Sequence, residues 1–160
     1  MSVPAPLPPR DNSSVRVPPP LVYFAAIAVG YWLRGRLALS FVPTALAQPV
    51  GAALVALGVA LAIAGAVTFQ RAGTSPNPMK PSTTVVMHGV YRFTRNPMYL
   101  GMTMLTIGGA VWLNTAWILI LLVPALAVMR WHVIAREEAY LEAKFGEPFR
   151  DYKRRVRRWL

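Results

Sequence analysis

The sequence has no cysteine and few acidic residues, and each absence excludes a class of chemistry. Without cysteine the chain forms no disulfide, zinc–thiolate site, iron–sulfur cluster or thiol nucleophile. No Asp or Glu lies between residues 12 and 136, which excludes a paired-carboxylate hydrolase or an acid-lined proton relay inside a membrane. The two histidines, His88 and His132, are 44 residues apart, so the sequence predicts no metal site.

Hydrophobic residues are what the sequence has in excess. They make up 55% of its 160 residues and charged residues only 14%, whereas soluble domains have about 45–50% and about 25%. The net charge of +11 would suit nucleic acid, but with a mean hydropathy of +0.41 it indicates a membrane with an anionic face. The composition therefore predicts a small integral membrane protein whose partners are lipids and not nucleic acid.

Uncharged apolar segments predict an all-α, polytopic membrane protein with four or five transmembrane helices. Four segments are clear: Leu21–Leu33, Val50–Phe69, Met98–Leu113 and Ala116–Val128. The second has 20 residues, about 30 Å of helix, which matches the hydrocarbon core of a bilayer. The segment 38–49 is too apolar for a loop and too broken for a span, so residues 34–49 either lie at the interface or contribute a fifth segment.

Two further features describe the organisation of the chain. Residues 1–20 hold seven prolines, which predicts a non-helical, flexible leader ahead of a single domain over residues 21–160. Small residues at Gly51, Gly58, Ala62 and Gly65 can line one face of the second span and allow close helix packing, although any span rich in Ala and Gly offers such a face.

Basic residues are distributed unequally between the loops. With the N-terminus in the cytoplasm, 15 of the 17 Lys and Arg lie inside and only Arg34 and Arg36 outside. The positive-inside rule expects this bias, so both termini are predicted to be cytoplasmic, with loops 70–97 and 130–160 on one face. The Ala-, Arg- and Pro-rich composition resembles that of a high-GC genome and favours a bacterial inner membrane.

The segment from His88 to Gly101 is the densest polar cluster near a membrane boundary. Asn96 is a good N-cap and Pro97 suits the first helical position, so a helix start with free N–H groups is predicted there. Arg95 could hold a carboxylate in a bidentate grip, and Tyr91 and Tyr99 could cover a planar base or a sulfonium. An ordinary juxtamembrane anchor explains the same residues equally well.

The C-terminal tail carries five of the six acids, and Glu137 and Glu138 follow the fourth span directly. They are either a functional pair or part of a solvated helix face. From residue 137 onward the tail predicts an amphipathic, cytoplasmic surface helix that is broken near 146–148. If the fourth span continues as helix, it carries the two glutamates about 10 Å beyond Arg130, where the tail could act as a lid.

Several short motifs occur in a specific order. They are Gly89-Val-Tyr91, Arg95-Asn-Pro97-x-Tyr99-x-Gly101, Glu137-Glu138, Phe145-Gly146 and Tyr152-x-Arg-Arg155-Val. Together they resemble the isoprenylcysteine carboxyl methyltransferase family and its phospholipid N-methyltransferase relatives, over residues 82–158. One departure is Asn96, where the isoprenylcysteine enzymes usually have histidine, and it leaves the acceptor open.

The resemblance implies a membrane methyltransferase that uses S-adenosylmethionine and a lipophilic acceptor, with Arg95 and Glu138 most important for activity. It also implies a cofactor site that is bordered by His88, Gly89, Val90, Tyr91, Arg95, Asn96, Pro97, Tyr99, Gly101, Glu137 and Glu138. A carboxylate or thiolate acceptor would need no general base, whereas an amine would pass its proton to Glu138. The competing hypotheses are a small four-helix transporter, disfavoured by the lack of an intramembrane acid, and a membrane reductase, disfavoured by the lack of Gly-x-Gly-x-x-Gly.

Overall fold

The computed structural model describes residues 12–13, 15 and 17–159, and over these residues the chain is all-α, as predicted. Its α-helices are α1 (Pro19–Arg34), α2 (Thr44–Arg71), α3 (Pro97–Trp112), α4 (Ala116–Val128), α5 (Ala135–Phe145) and α6 (Glu147–Arg155). A turn of 3₁₀-helix, Gly89–Arg92, precedes α3, and a π-helical segment, Met129–Ile134, joins α4 to α5.

Among the described residues, two helices are long and apolar enough to cross a membrane. They are α2, with 28 residues, and the continuous helix Ala116–Phe145, with 30. The other two predicted segments are also helical, but α1 and α3 have only 16 residues each, about 24 Å. The number of spans therefore remains a prediction. Residues 44–49 belong to the first turns of α2, and residues 35–43 contain no helix.

The leader differs from the prediction at its end. Pro19 and Pro20 are the first residues of α1, because proline is well tolerated in a first turn where its missing N–H is not needed. Val15 is buried and packs in the hydrophobic core with residues of α1, α3, α4 and the π-helical segment. Most of the predicted flexible leader lies outside the described residues.

Helices α2 and α3 pack antiparallel through glycine. A Cβ at Gly58 would lie 2.6 Å from the backbone N of Leu105, and a Cβ at Gly101 would lie 2.6 Å from the carbonyl O of Gly58. Gly51 and Gly65 meet Trp112 and Met98 at similarly short distances. The small residues of the second span therefore do form a close helix contact, in which backbone approaches backbone.

The α3–α4 connection is tight, as the two-residue polar break predicts. Asn114 has φ +46°, and its side chain accepts hydrogen bonds from the N–H groups of Phe41 and Val42 at 3.0 and 3.1 Å. The hairpin returns the chain to the end of the molecule where α3 begins. The start of α1, the end of α2, the start of α3 and helices α5 and α6 meet at this end, which we call the loop end.

Candidate functional site

A narrow cleft of about 90 Å³ opens at the loop end between the start of α3 and the tail. Its walls come from six parts of the chain: residue 13, the end of α2, the loop 75–86, the segment 91–96 with the 3₁₀ turn, the start of α3 and the tail. The side chains important here are Phe69, Tyr91, Arg95, Asn96, Tyr99, Glu137, Glu138, Tyr140, Phe149 and Tyr152. The predicted pair of loops, 70–97 and 130–160, is therefore brought together.

Aromatic rings form much of the cleft wall. The rings of Phe69 and Tyr91 lie 4.9 Å apart between centroids, and the Tyr152 hydroxyl donates a hydrogen bond to the Tyr91 carbonyl at 2.7 Å. The Tyr91 hydroxyl is itself buried without a partner among the described residues, and burial raises its pKa so that it stays protonated. These rings offer flat surfaces to a planar group or a cation, and Tyr91 offers one free donor.

Arg95 joins the start of α3 to the tail. Its Nη2 donates to Oε1 of Glu138 at 2.8 Å, and its Nη1 donates to the carbonyl oxygens of Lys153 and Val156 at 2.9 and 2.7 Å. The Nε atom is buried without a partner among the described residues. Tail carbonyls and Glu138 therefore occupy both terminal nitrogens of Arg95 and leave Nε for a ligand, and the predicted bidentate grip on a ligand carboxylate stays a prediction.

Glu138 is held between two arginines. Nε of Arg158 donates to its Oε1 at 3.1 Å, and Nη2 of Arg158 contacts Oε2, so that Arg95 and Arg158 share one carboxylate. Burial alone would raise the pKa of Glu138, but the hydrogen bonds and charges of Arg158 and Arg95 outweigh it and lower the pKa. Glu138 therefore stays ionised, which makes it a poor proton acceptor.

Glu137 has the opposite surroundings. Its Oε1 accepts a hydrogen bond from the Tyr99 hydroxyl at 2.5 Å, and no Lys or Arg of the described residues forms an ion pair with it. The uncharged part of the long helix ends at Met129, and Glu137 lies about 12 Å beyond it. Burial raises the pKa of Glu137 to about 7, although the Tyr99 hydrogen bond opposes the rise. Glu137 is therefore the carboxylate of the cleft that can accept a proton or face a cation.

Asn96 stands at the predicted N-cap position, but its side chain does not cap α3. Its Nδ2 instead donates to the carbonyl oxygen of Arg158 at 3.0 Å. The Arg158 carbonyl is the acceptor to which this amide is turned. Asn96 therefore helps to hold the tail against the start of α3.

The remaining predicted residues lie outside the cleft wall. His88 precedes the 3₁₀ turn and Gly89 and Val90 begin it, with Gly89 at φ +60° near the side chain of Thr68. Pro97 is buried at the first turn of α3, and Gly101 lies in the α2–α3 contact. The structure thus brings six of the eleven predicted residues into the cleft: Tyr91, Arg95, Asn96, Tyr99, Glu137 and Glu138.

Other residues of the site were missed by sequence reasoning. Phe149 and Tyr152 look like the apolar face of an amphipathic helix, and their placement beside the cleft depends on the turn at Gly146, which has φ +62°. Arg158 is one of nine basic residues from Arg130 onward, and no local signal separates it from the others. Phe69 ends an apolar span and carries no motif.

Comparison with known proteins identifies a family and a relative of this chain. The family profile described as phospholipid methyltransferase matches residues 46–148, and so extends well before the motifs that begin near residue 82. The chain is also 42% identical over 63 residues to an uncharacterized protein of Haemophilus influenzae, over 39% of this chain and 100% of that protein. The region that the family profile matches contains nearly all of α2, the whole of α3 to α5 and the Arg95–Glu138 contact.

Proposed function

Because the chain belongs to the phospholipid methyltransferase family, we propose that it is a membrane methyltransferase that moves a methyl group from S-adenosylmethionine to a lipophilic acceptor. The acceptor is the carboxylate of a prenylated or other amphiphile, or a lipid amine. The observation that carries this proposal is the cleft, in which Glu137 faces aromatic rings with no basic partner among the described residues.

The polar groups of the cleft suit a cationic, nucleoside-containing methyl donor. Glu137 would hold the ammonium of its methionine part, and the unpartnered Nε of Arg95 and hydroxyl of Tyr91 are donors for a carboxylate. The rings of Phe69 and Tyr152 offer surfaces to a planar base. When bound, the donor supplies an already activated methyl group on its sulfonium.

The residues of the cleft mainly have to position the reactants and exclude water. Arg95, Asn96 and Arg158 hold the tail over the cleft, and the tail supplies Glu137, Glu138, Phe149 and Tyr152 to it. The tail forms one wall of the cleft, so its movement would open the site for loading of the donor and acceptor. The tail therefore acts as a lid in this proposal.

The acceptor decides whether a base is needed. A carboxylate or thiolate acceptor attacks without losing a proton, but a lipid ammonium must first release one. Glu137, whose pKa of about 7 lies near physiological pH, is better suited to accept it than the salt-bridged Glu138. The proton-accepting role that the sequence analysis gave to Glu138 passes to Glu137.

The location of the protein is part of the proposal. Both termini face the cytoplasm of a bacterial inner membrane, supported by the split of 15 and 2 basic residues and by the packing of residue 13, the loop 72–96 and the tail at one end. A reporter fused after Leu160 should be active only on the cytoplasmic side. Activity on the external side alone would overturn this topology.

Two measurements test the function. Membranes that contain the protein, incubated with S-adenosylmethionine labelled in its methyl group, should yield a labelled lipid that mass spectrometry identifies. Calorimetry of the detergent-solubilised protein should show binding of S-adenosylhomocysteine and not of NADPH. Binding of NADPH alone would instead indicate a reductase, and binding of neither compound, with no labelled lipid, would overturn the proposal.

A further inference from the structure

A second cavity of about 420 Å³ lies directly beside the cleft and has a different chemical character. Its wall is almost entirely apolar and includes Pro18–Pro20, Met79, Met98 and Met102. Met98, Tyr99 and the loop residues 76–78 line both the cavity and the cleft. The two spaces are therefore neighbours that share a wall at the start of α3.

One side of this cavity is formed by the leader, which is held in place by specific contacts. Ser13 is buried, and its Oγ donates to the carbonyl oxygen of Pro78 at 2.6 Å. Val15 is 5% exposed and inserts into the hydrophobic core. Because Ser13 and Val15 both lie just before Pro18, their contacts hold the three prolines opposite the loop 76–79.

The family profile begins at residue 46, so the leader and α1 lie outside the matched region. The loop 76–79 and α3 lie within it. One wall of the cavity is therefore formed by the region that matches the family profile, and the other by the N-terminal part of this chain. Because the N-terminal wall lies outside the matched region, it can give the space beside the reaction site a shape that is particular to this chain.

We propose that this cavity is a subsite for the hydrocarbon chain of the acceptor, with the leader setting the length of chain that it accepts. The inference rests on the proposed function, since it places the acceptor's reactive head in the cleft. The cavity lies where α1 and α3 begin. With both helices in the membrane, as the sequence predicts, a lipid chain would reach it without crossing water. Three methionines in its wall supply flexible, polarisable contacts that adapt to an alkyl chain.

Chain-length dependence distinguishes this subsite from general attraction to the membrane. Each methylene that enters an apolar cavity contributes about fourfold to binding. The value of kcat/KM should therefore rise with acceptor chain length until the cavity is full and then level off. Partition into detergent or lipid alone gives no such plateau.

The variant Met102→Trp tests the proposal by filling the cavity, and Met104→Trp on the same helix is its matched control because Met104 lines neither space. Met102→Trp should lower kcat/KM for long-chain acceptors. The value of kcat/KM for a short-chain analogue and the affinity for S-adenosylhomocysteine should both stay near wild type. Met79→Trp, on the loop, should act in the same way and provides an independent variant if Met102→Trp does not fold.

A photoactivatable long-chain fatty acid with a diazirine supplies a readout that needs no turnover. Irradiation of the full-length protein in detergent should label peptides that contain Met79 or Met102, and both tryptophan variants should lose most of this label while Met104→Trp keeps it. Label confined to lipid-facing positions of α2 such as Leu57 and Ile63, or label that neither variant changes, would overturn the subsite. If the protein methylated no amphiphile, the function would fail while the cross-linking pattern still decided whether the cavity binds a chain.

Discussion

The α2–α3 contact and the junction between α3 and the tail differ in kind: the first is a contact between backbones, and the second is made of side-chain hydrogen bonds. In the first, glycines let two backbones touch, with Gly58 and Gly101 so close that neither position has room for a methyl group. In the second, the side chains of Arg95 and Asn96 donate hydrogen bonds to tail carbonyls, and Glu138 of the tail accepts one from Arg95. Both contacts involve α3, one along its length and one at its start.

This difference between the two contacts indicates which part of the molecule can move. A backbone contact in lipid has no alternative partner, because no water is present to replace it, so it forms a rigid frame. The polar junction lies beyond the apolar segments, where water can replace each hydrogen bond when it opens. The frame therefore fixes the start of α3, and the tail can close over it and open again.

Removal of the tail is expected to have the largest effect on binding and the smallest on the frame. A chain that ends at Arg136 keeps α1 to α4 but loses Glu137, Glu138 and both aromatic residues of α6. It should remain inserted in the membrane and bind no S-adenosylhomocysteine in calorimetry. Unchanged affinity in this truncated protein would show that the tail is only a membrane anchor.

Arg95→Ala weakens the junction without removing it. The variant loses the bonds to Lys153, Val156 and Glu138, and should reduce cofactor affinity or turnover by at least about tenfold, about 1.4 kcal/mol. Arg92→Ala, three residues earlier and exposed, is the matched control.

A double-mutant cycle separates the positioning role of Arg95 from a general loss of charge. Glu138→Gln and Arg95→Ala should be less than additive in calorimetry with S-adenosylhomocysteine, because they disturb one network. If the effects of the two substitutions on affinity were strictly additive, or if Arg95→Ala had wild-type kinetics, Arg95 would be only a juxtamembrane anchor.

Gly58→Ala tests the frame. Its new Cβ would press on the backbone of Leu105, at a cost of about 1–3 kcal/mol in the free energy of unfolding. Gly109→Ala in α3 has open space around its Cβ and should be neutral or stabilising by up to about 1 kcal/mol, since alanine favours helix. Thermal unfolding in detergent gives both values, and equal melting temperatures would argue against a backbone contact.

Glu137→Gln should have the smallest effect on stability, and one that depends on pH. The pKa of Glu137 is raised from 4.5 to about 7, so the folded state binds its proton more tightly than the unfolded state. Stability from this group is present below pH 4.5 and is lost as the pH rises through 7. The melting temperature of the variant, relative to wild type, should therefore increase between these values, and a constant difference would contradict the raised pKa.

Sequence patterns predict the frame better than the junction. The apolar segments, the break at Asn114 and the turn at Gly146 are local signals, and each corresponds to a helix or a helix end in the structure. The roles of Arg95 and Asn96 could not be read in this way, because their partners are backbone carbonyls about 60 residues away in the tail. Any residue can supply a carbonyl, so no residue type marks such an acceptor in a sequence.

The same reasoning explains the two neighbouring glutamates. Glu137 and Glu138 are indistinguishable as a dipeptide, and their different chemistry comes from which side of α5 faces Tyr99 and which faces Arg95 and Arg158. Their proximity to the start of α3 follows from the tight α3–α4 hairpin and from the uninterrupted helix to Phe145. The Glu137-Glu138 motif therefore predicts that both residues belong to the site, but it does not predict which role each has.

The most direct test of the account is to find where the methyl donor binds. Ultraviolet cross-linking of radiolabelled S-adenosylmethionine to the full-length protein, followed by peptide mapping, should label peptides from both sides of the cleft, around Tyr91 or Tyr99 and within residues 137–152. Excess S-adenosylhomocysteine should remove this label. Competable label confined to peptides away from the cleft, such as those of α1 or the first half of α2, would contradict the account.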